Sequence, residues 1–523
     1  MEVGVSAVVI AGAGPTGLAL ACGLAAAGAA VRVLDKRAEP ATTSRALGLQ
    51  PRGAEVLDRL GALGDLPGRS VRIARVVTHV DGEPMASLEV GRPTKLVRKP
   101  GLLMSQTEVE AALRRRLNSL GVEVEWGREL LSAAQDASGV TVCCEGERIR
   151  ADWLVGCDGA HSRVRTSAGI GFPGVSVIES FLLADVRAEL PFASDAVSVW
   201  LRGDAMLGAF PLPGDRVWRL MAPGGAAHPA PGGAAHPAPG ADGVVEELAR
   251  QLREHTGVDG SAVAQVLWSS TFRIHRRLAS TYRQGRILLA GDAAHIHSPF
   301  GGQGMNTGLG DAENLAWKLA LVVHGAAAPR LLDTYEAERR PIAREVLAST
   351  SSLTRVAVGT SPAARALRDH VFVPLMNRPF VQRLIWEQSS QLKIHYRGGP
   401  LGTRTLARWS ARGPRAGDRM PDLACRDAGG APTRLHAELG SRWALLSPTP
   451  HDGEAYLAEA RRHLGPAVPV VHLLTSGSRH AGVMLVRPDG HLAWRGDSAA
   501  ALGSRLRLRF GTSSGHLPGK AEA

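Results

Sequence analysis

The sequence is poor in cysteine, in lysine and in long apolar runs, and each shortage removes a class of reading. Its five cysteines, Cys22, Cys143, Cys144, Cys157 and Cys425, form no CxxC pair and no Cys/His cluster with metal-ligand spacing. Disulfides and zinc are therefore not expected, and Cys22 and Cys157 read as small core residues. No apolar stretch reaches the roughly 18 residues of a membrane span. The longest, Leu18 to Val31, is short and interrupted by glycines, so a membrane is not an expected partner. The opening MEVGVSAVV has no basic segment of a secretory signal, and the cytoplasm is the expected location. Nucleic acid is not expected either. The net charge is +12, but the basic residues, nearly all arginine, are scattered instead of clustered among aromatics. Such a diffuse positive field suits anionic cofactors.

What remains is an ordinary globular composition, 44% hydrophobic and 21% charged over 523 residues, enough for two or three domains. Val5 to Ala11 is a run of small and β-branched residues suited to a buried parallel strand. A glycine turn at Gly12 to Gly17, a small-residue helix over Leu18 to Gly28 and the strand "VRVLD" at Val31 to Asp35 complete a βαβ unit. A helix is expected over Glu108 to Leu117, and strands over Ile149 to Cys157 and Arg286 to Ala290. Between Phe172 and Phe272 the pattern becomes antiparallel strands, with a tandem repeat "PGGAAHPA" at Pro223 to Ala230 and Pro231 to Ala238. The repeat reads as a surface loop in preference to a metal site. A helical stretch follows from Pro329 to about Leu392, and then a last αβ unit. That unit has a hairpin turning at Asp489-Gly490, and it resembles a thioredoxin-like domain. Its redox position reads Ser447-Pro448-Thr449-Pro450, where no thiol chemistry can occur.

Gly12-Ala13-Gly14-Pro15-Thr16-Gly17 is a GxGxxG turn in its required context, after a strand and before a helix. The first glycine permits the tight turn, the second lets a pyrophosphate approach, and the third lets helix and strand pack closely. Asp35 ends the next strand, where a carboxylate accepts hydrogen bonds from an adenosine ribose. These features give a dinucleotide site without separating NAD from FAD. A second glycine-rich entry, "GDAAHIHSPFGGQGMNTGLGDAENLAWKL", starts at Gly291. It puts Asp292 at a strand end, where an acidic group suits a ribityl hydroxyl and repels phosphate. Gly301, Gly302 and Gly304 allow close approach, and a helix from about Met305 aims its positive end at whatever lies above. A reduced flavin carries negative charge on its pyrimidine side, so two separate cradles fit the two halves of FAD.

"GAGPTG", "CDGAHSRVR" and the Gly291 stretch together resemble the class A flavoprotein aromatic monooxygenases of the p-hydroxybenzoate hydroxylase group, in the branch acting on aromatic polyketides. The resemblance implies an α/β fold: a Rossmann-like FAD-binding domain with an inserted β-rich substrate domain and a C-terminal thioredoxin-like domain. The expected divisions are 1–171 and 280–398 for the FAD domain with its helical segment, 172–279 for the substrate domain with help from about 72–100, and 399–523 for the tail. FAD and NADPH are the implied cofactors. NADPH would reduce the flavin, dioxygen would form a C4a-hydroperoxide, and one oxygen atom would pass to a phenol or quinone. Implied cofactor contacts are Gly12, Gly14, Pro15, Thr16, Gly17, Asp35, Lys36, Arg45, Gln106, Asp158, Asp292, Gly302, Gly304, Met305 and Asn306. Pro299 matches a proline whose carbonyl lies above the flavin, and Arg52 is expected to stabilise an anion at the ring edge. His295 and His297 read as packing residues. The expected partners are a small aromatic substrate, dioxygen and a second copy of the chain. Baeyer–Villiger insertion into a cyclic ketone, and a flavin-binding assembly role without turnover, stay open as alternatives.

Overall fold

The computed structural model describes residues 6–43, 46–203, 205–224, 241–297, 302–358, 362–402, 413–475 and 482–510. The strand Ser6–Ala11 lies at the centre of the first sheet because Val8, Val9 and Ile10 are buried on both faces. It pairs in parallel with Val31–Asp35 and with Glu147–Gly156. Val124–Trp126 and Ile287–Leu289 extend the parallel set on either side. Strands close to the N-terminus therefore share one sheet with a strand that follows the whole inserted layer. Helix Pro15–Ala26 packs against helix Gly304–Val323, and both are buried along most of their length. Gly23 permits this closeness: a Cβ there would lie 2.7 Å from that of Ala316.

The second sheet has eight strands, and Arg75–Val80 and Glu83–Glu89 join those from Gly174–Ala188 to Val263–Leu278 within it. Strand alternation divides its apolar residues between two faces. One face, with Leu182, Trp200, Leu207 and Trp218, is closed by the helix Ala241–Thr256 through Val244, Leu248 and Leu252. Sequence reading did not anticipate this helix, although its apolar residues recur every fourth position. The opposite face carries Phe181, Val199, Leu201, Met206 and Met221 and meets Val373 and Met376 of the helical segment. Nearby, Val197 and Phe210 pack with Leu47 and Leu103 of the FAD domain. Most of the tandem repeat, residues 225–238, lies outside the described residues. The helical segment is divided into Asp333–Val358, Pro362–Leu367 and Pro379–Ser389 with shorter turns between them.

In the third sheet Trp443–Ser447 is parallel to Val470–Thr475 on one side and antiparallel to Val483–Val486 on the other, with Leu492–Gly496 beyond. This is thioredoxin-like order. At the redox position, Ser447 Oγ donates to the Thr449 carbonyl at 2.6 Å and meets His472 Nε2 at 2.7 Å. The Thr449 hydroxyl caps the helix Pro450–Leu464. All five cysteines are free. Among the described residues no helix is long and apolar enough to cross a membrane.

Candidate functional site: two cradles joined at Thr16

Gly12 has φ +101°, and a Cβ on it would run into the Cys157 carbonyl. A Cβ on Gly17 would strike the Gly12 carbonyl, so both glycines are fixed by close backbone contact. Gly14 differs: nothing lies within 4 Å of the place its Cβ would take. It caps helix Pro15–Ala26 with no side-chain hydrogen bond and no acidic residue in the first turn. Open space over free helix N–H groups is what a pyrophosphate requires.

Asp35 accepts the Ala13 N–H at 2.7 Å, the Arg37 N–H at 2.9 Å and the Arg37 guanidinium at 3.0 and 3.1 Å. Burial works against its charge, but these bonds outweigh it and hold the carboxyl below its ordinary value. Lys36, expected at the cofactor, is exposed; the basic group at the carboxylate is Arg37. The strand ends at Asp35, and the turn that follows brings the Arg37 N–H and guanidinium back onto the carboxylate while Lys36 points to solvent. Gln106 starts the helix Gln106–Ser119 and donates to Glu110 at 2.8 Å. Burial raises the Glu110 pKa.

The Asp158 carboxylate accepts from Ser162 Oγ at 2.5 Å and from the Val164 N–H at 3.1 Å, bracing the turn that follows Glu147–Gly156. Ser162 caps the next short helix. From that helix Arg165 donates to the Ala293 carbonyl at 2.9 Å while lying 3.9 Å over the Phe172 ring. The Asp158 turn is thereby tied to the second cradle.

In that second cradle the Asp292 side chain is solvent-accessible yet surrounded by protein, as on the wall of a cleft. This enclosure raises its pKa; His295 opposes the shift and Asp311 adds to it. Gly302 has φ +60°, and helix Gly304–Val323 begins with no side-chain cap. Asn306 is fully buried: its amide donates to the Gly48 and Gly302 carbonyls, both at 2.9 Å, and its oxygen accepts the Gln50 N–H at 2.9 Å. Its side chain thus holds the chain before Pro51 to the flavin turn instead of projecting into open space. Met305 is buried beside it. His295 is buried and pairs with Asp311 at 2.6 Å. Arg45 and Pro299 lie outside the described residues.

The two cradles meet at Thr16. A Cβ added to Gly291 or to Gly308 would collide with its side chain, so both glycines make room for it. Arg52 requires a correction. From helix Pro51–Arg59 its guanidinium turns to Glu313 at 2.9 Å and to the Asp489 carbonyl at 3.0 Å, and it is 4% exposed. It docks the C-terminal domain and does not face a ring edge. Around it, Arg59 bonds Glu313 at 2.6 Å, Arg487 bonds Glu338 at 2.8 and 3.0 Å, and Arg419 pairs with Glu55. The Asp489-Gly490 hairpin tip thus sits in a buried charge cluster against the FAD domain.

A family model for an FAD binding domain matches residues 5–350, and one for the C-terminal region of aromatic-ring hydroxylases matches residues 413–513. The chain belongs to the FAD-dependent aromatic-ring monooxygenases. A rifampicin monooxygenase from Streptomyces venezuelae is 35% identical over 97% of this chain and 99% of its own. The structure of an anhydrotetracycline hydroxylase from Streptomyces rimosus superposes with a TM-score of 0.77 at 34% identity, covering 97% of this chain and 99% of that one. An aklavinone-11 hydroxylase, solved with FAD and aklavinone, gives a TM-score of 0.77 at 26% identity, with 98% and 99% covered.

FAD is thus this monooxygenase's cofactor class, and the open space at Gly14, the Asp35 acceptor and the cleft-wall Asp292 fit its parts. Sequence reading missed Arg37, Arg165 and Asp311. Asp311 was legible as the acid of "GLGDAENL" within the Gly291 stretch, seven residues into its helix. The other two needed the fold.

Proposed function

We propose that this monooxygenase uses NAD(P)H and dioxygen to put one oxygen atom into a polycyclic aromatic phenol or quinone of polyketide type. The observation that carries the reading is the pair of cradles joined at Thr16, below a sheet whose inner face is apolar. Bound FAD supplies the redox chemistry and the activation of dioxygen. The chain's own residues bind and orient. Gly14 and the N–H groups of helix Pro15–Ala26 take the pyrophosphate, Asp35 takes the ribose, and Asp292 takes a ribityl hydroxyl. The N-terminus of helix Gly304–Val323 stabilises negative charge on the reduced ring. Arg45, Gln106, Asp158 and Pro299 are retained as cofactor contacts. Only one GxGxxG is present, so NAD(P)H binds without a Rossmann domain of its own.

The substrate is assigned to the part of that face where Val199 and Phe210 stay partly exposed beside Leu47 and Leu103 of the FAD domain, an apolar setting that excludes water. On that face Arg219 pairs with Asp185 at 2.6 and 2.8 Å, opposite Phe210 in register and 5.2 Å from the Trp268 ring. Relatives named for rifampicin and anhydrotetracycline support a large, fused-ring substrate.

The test is anaerobic stopped-flow reduction of the bound flavin by NADPH, with and without a panel of polycyclic phenols and quinones. One compound should accelerate bleaching and, with air, leave a product heavier by one oxygen. Both hydroxylation and ring insertion add that mass, so the product's carbon skeleton, a new C–OH against a ring-expanded lactone by NMR, separates them. A single slow rate whatever is added would count against the oxygenase reading.

A further inference from the structure

The C-terminal domain carries no redox pair, yet a continuous buried chain of side chains connects it with the flavin turn. Tyr396, on the segment leading into that domain, is held by it from two sides. Its ring lies 4.3 Å from the His491 imidazole and 5.1 Å from the Arg487 guanidinium. The Tyr396 hydroxyl accepts from Arg339 Nη1 at 3.1 Å. Arg339 also donates through Nε to Asp311 at 2.7 Å and through Nη2 to the Thr307 carbonyl at 3.0 Å. Asp311 accepts the Gly291 N–H at 3.2 Å and His295 Nε2 at 2.6 Å. Gly291 directly precedes Asp292, the carboxylate on the cleft wall.

Every member of this chain from Tyr396 to Asp311 is at most 4% exposed, so its hydrogen bonds have no water to replace them. Docking of the domain does not depend on it alone, because Arg419 pairs with Glu55 and Arg52 donates to the Asp489 carbonyl across the junction at points outside the chain. The chain ends instead on the backbone that aims Asp292.

We propose that Tyr396, Arg339 and Asp311 are positioning residues through which the thioredoxin-like domain fixes the orientation of the flavin turn at Gly291 and Asp292. The redox-silent domain is then part of the cofactor site, acting by holding Tyr396 in place. This rests on the assignment of Asp292 to the flavin.

The test uses full-length apoprotein titrated with FAD, followed by flavin fluorescence, together with the visible circular dichroism of the bound flavin. Tyr396→Phe keeps the ring and removes the acceptor; it should weaken FAD binding about 5- to 10-fold and change the dichroism of the flavin bands. Arg419→Ala removes a docking ion pair away from the chain. It should lower the unfolding midpoint and leave both flavin readouts as in the wild type. If Tyr396→Phe fails to fold, Asp311→Asn takes its place and should give the larger loss of affinity. Wild-type affinity and dichroism in a folded Tyr396→Phe variant would overturn the proposal, as would equal losses in Arg419→Ala. Wild-type protein that takes up no FAD would instead sink the flavin assignment itself.

Discussion

Replacing Arg52 by Met separates the two roles this residue can have. The substitution keeps most of the volume and removes the charge. From the geometry, it deletes the 2.9 Å bond to Glu313 and the 3.0 Å bond to the Asp489 carbonyl. Breaking a buried pair by removing one partner costs about 3–5 kcal/mol, because the other charge stays buried. Glu313 retains Arg59 at 2.6 Å, which places the cost at the lower end, about 3 kcal/mol. That corresponds to a factor of about a hundred in the folding equilibrium. Trp317 and Trp443 stand edge to face at 5.3 Å across this junction, and Trp317 also donates to Asp489, so tryptophan fluorescence reports the change. Urea unfolding should move to a midpoint lower by about 1 M. At low temperature, where the variant stays folded, the fraction of NADPH oxidation coupled to product should equal the wild-type value. Unchanged stability with a fall in coupling would show that Arg52 serves the ring after all, and would refute the docking assignment.

Three further outcomes are expected. Burial lowers the pKa of His491 to about 4, Asp489 opposing and Arg52 assisting; burial, with Arg59 adding, lowers that of His436 to about 3. The unfolded chain protonates both rings below about pH 6.5 and the folded chain does not, so stability falls as pH drops from 6.5 toward 4. From pH 7 to pH 5 the urea midpoints should report a loss of about 3–4 kcal/mol, which a His436→Gln/His491→Asn double variant abolishes. Gly17→Ala drives a Cβ into the Gly12 carbonyl, and the protein should purify without FAD; a normal flavin content would contradict the assigned turn geometry. Asp35→Ala removes a charged acceptor worth about 1.5–3 kcal/mol, so fluorescence titration should show FAD affinity reduced by about 10- to 100-fold.

The cradles were legible because their geometry is local. Gly12, Gly14 and Gly17 act within one turn, and Asp35 and Asp292 stand at strand ends that hydrophobic runs mark plainly. Lys36 was expected where Arg37 lies, because the strand ends at Asp35 and no periodicity continues past it to tell the two apart. Arg52 was misplaced for a different reason. Its partners, Glu313 and Asp489, are 261 and 437 residues away, and no local pattern announces them. Asn306 looked like a cofactor contact because it opens the flavin helix; its side chain instead ties that helix to Gly48 and Gln50. The helix Ala241–Thr256 was overlooked because it follows a Gly/Pro/Ala repeat, a composition that signals a loop until Val244, Leu248 and Leu252 are counted.

The sharing of one sheet and one helix pair between distant parts of the chain also constrains its synthesis. Helix Pro15–Ala26, apolar almost all round, leaves the ribosome about 280 residues before the helix that covers it. At translation rates of about 5–20 residues per second, that interval is on the order of tens of seconds. Over that interval helix Gln106–Ser119 and the neighbouring strands cover one flank of it, and the flank that Gly304–Val323 closes waits while the inserted β layer is made. The nucleotide-binding half, begun first, therefore closes only after the whole inserted layer has been synthesised.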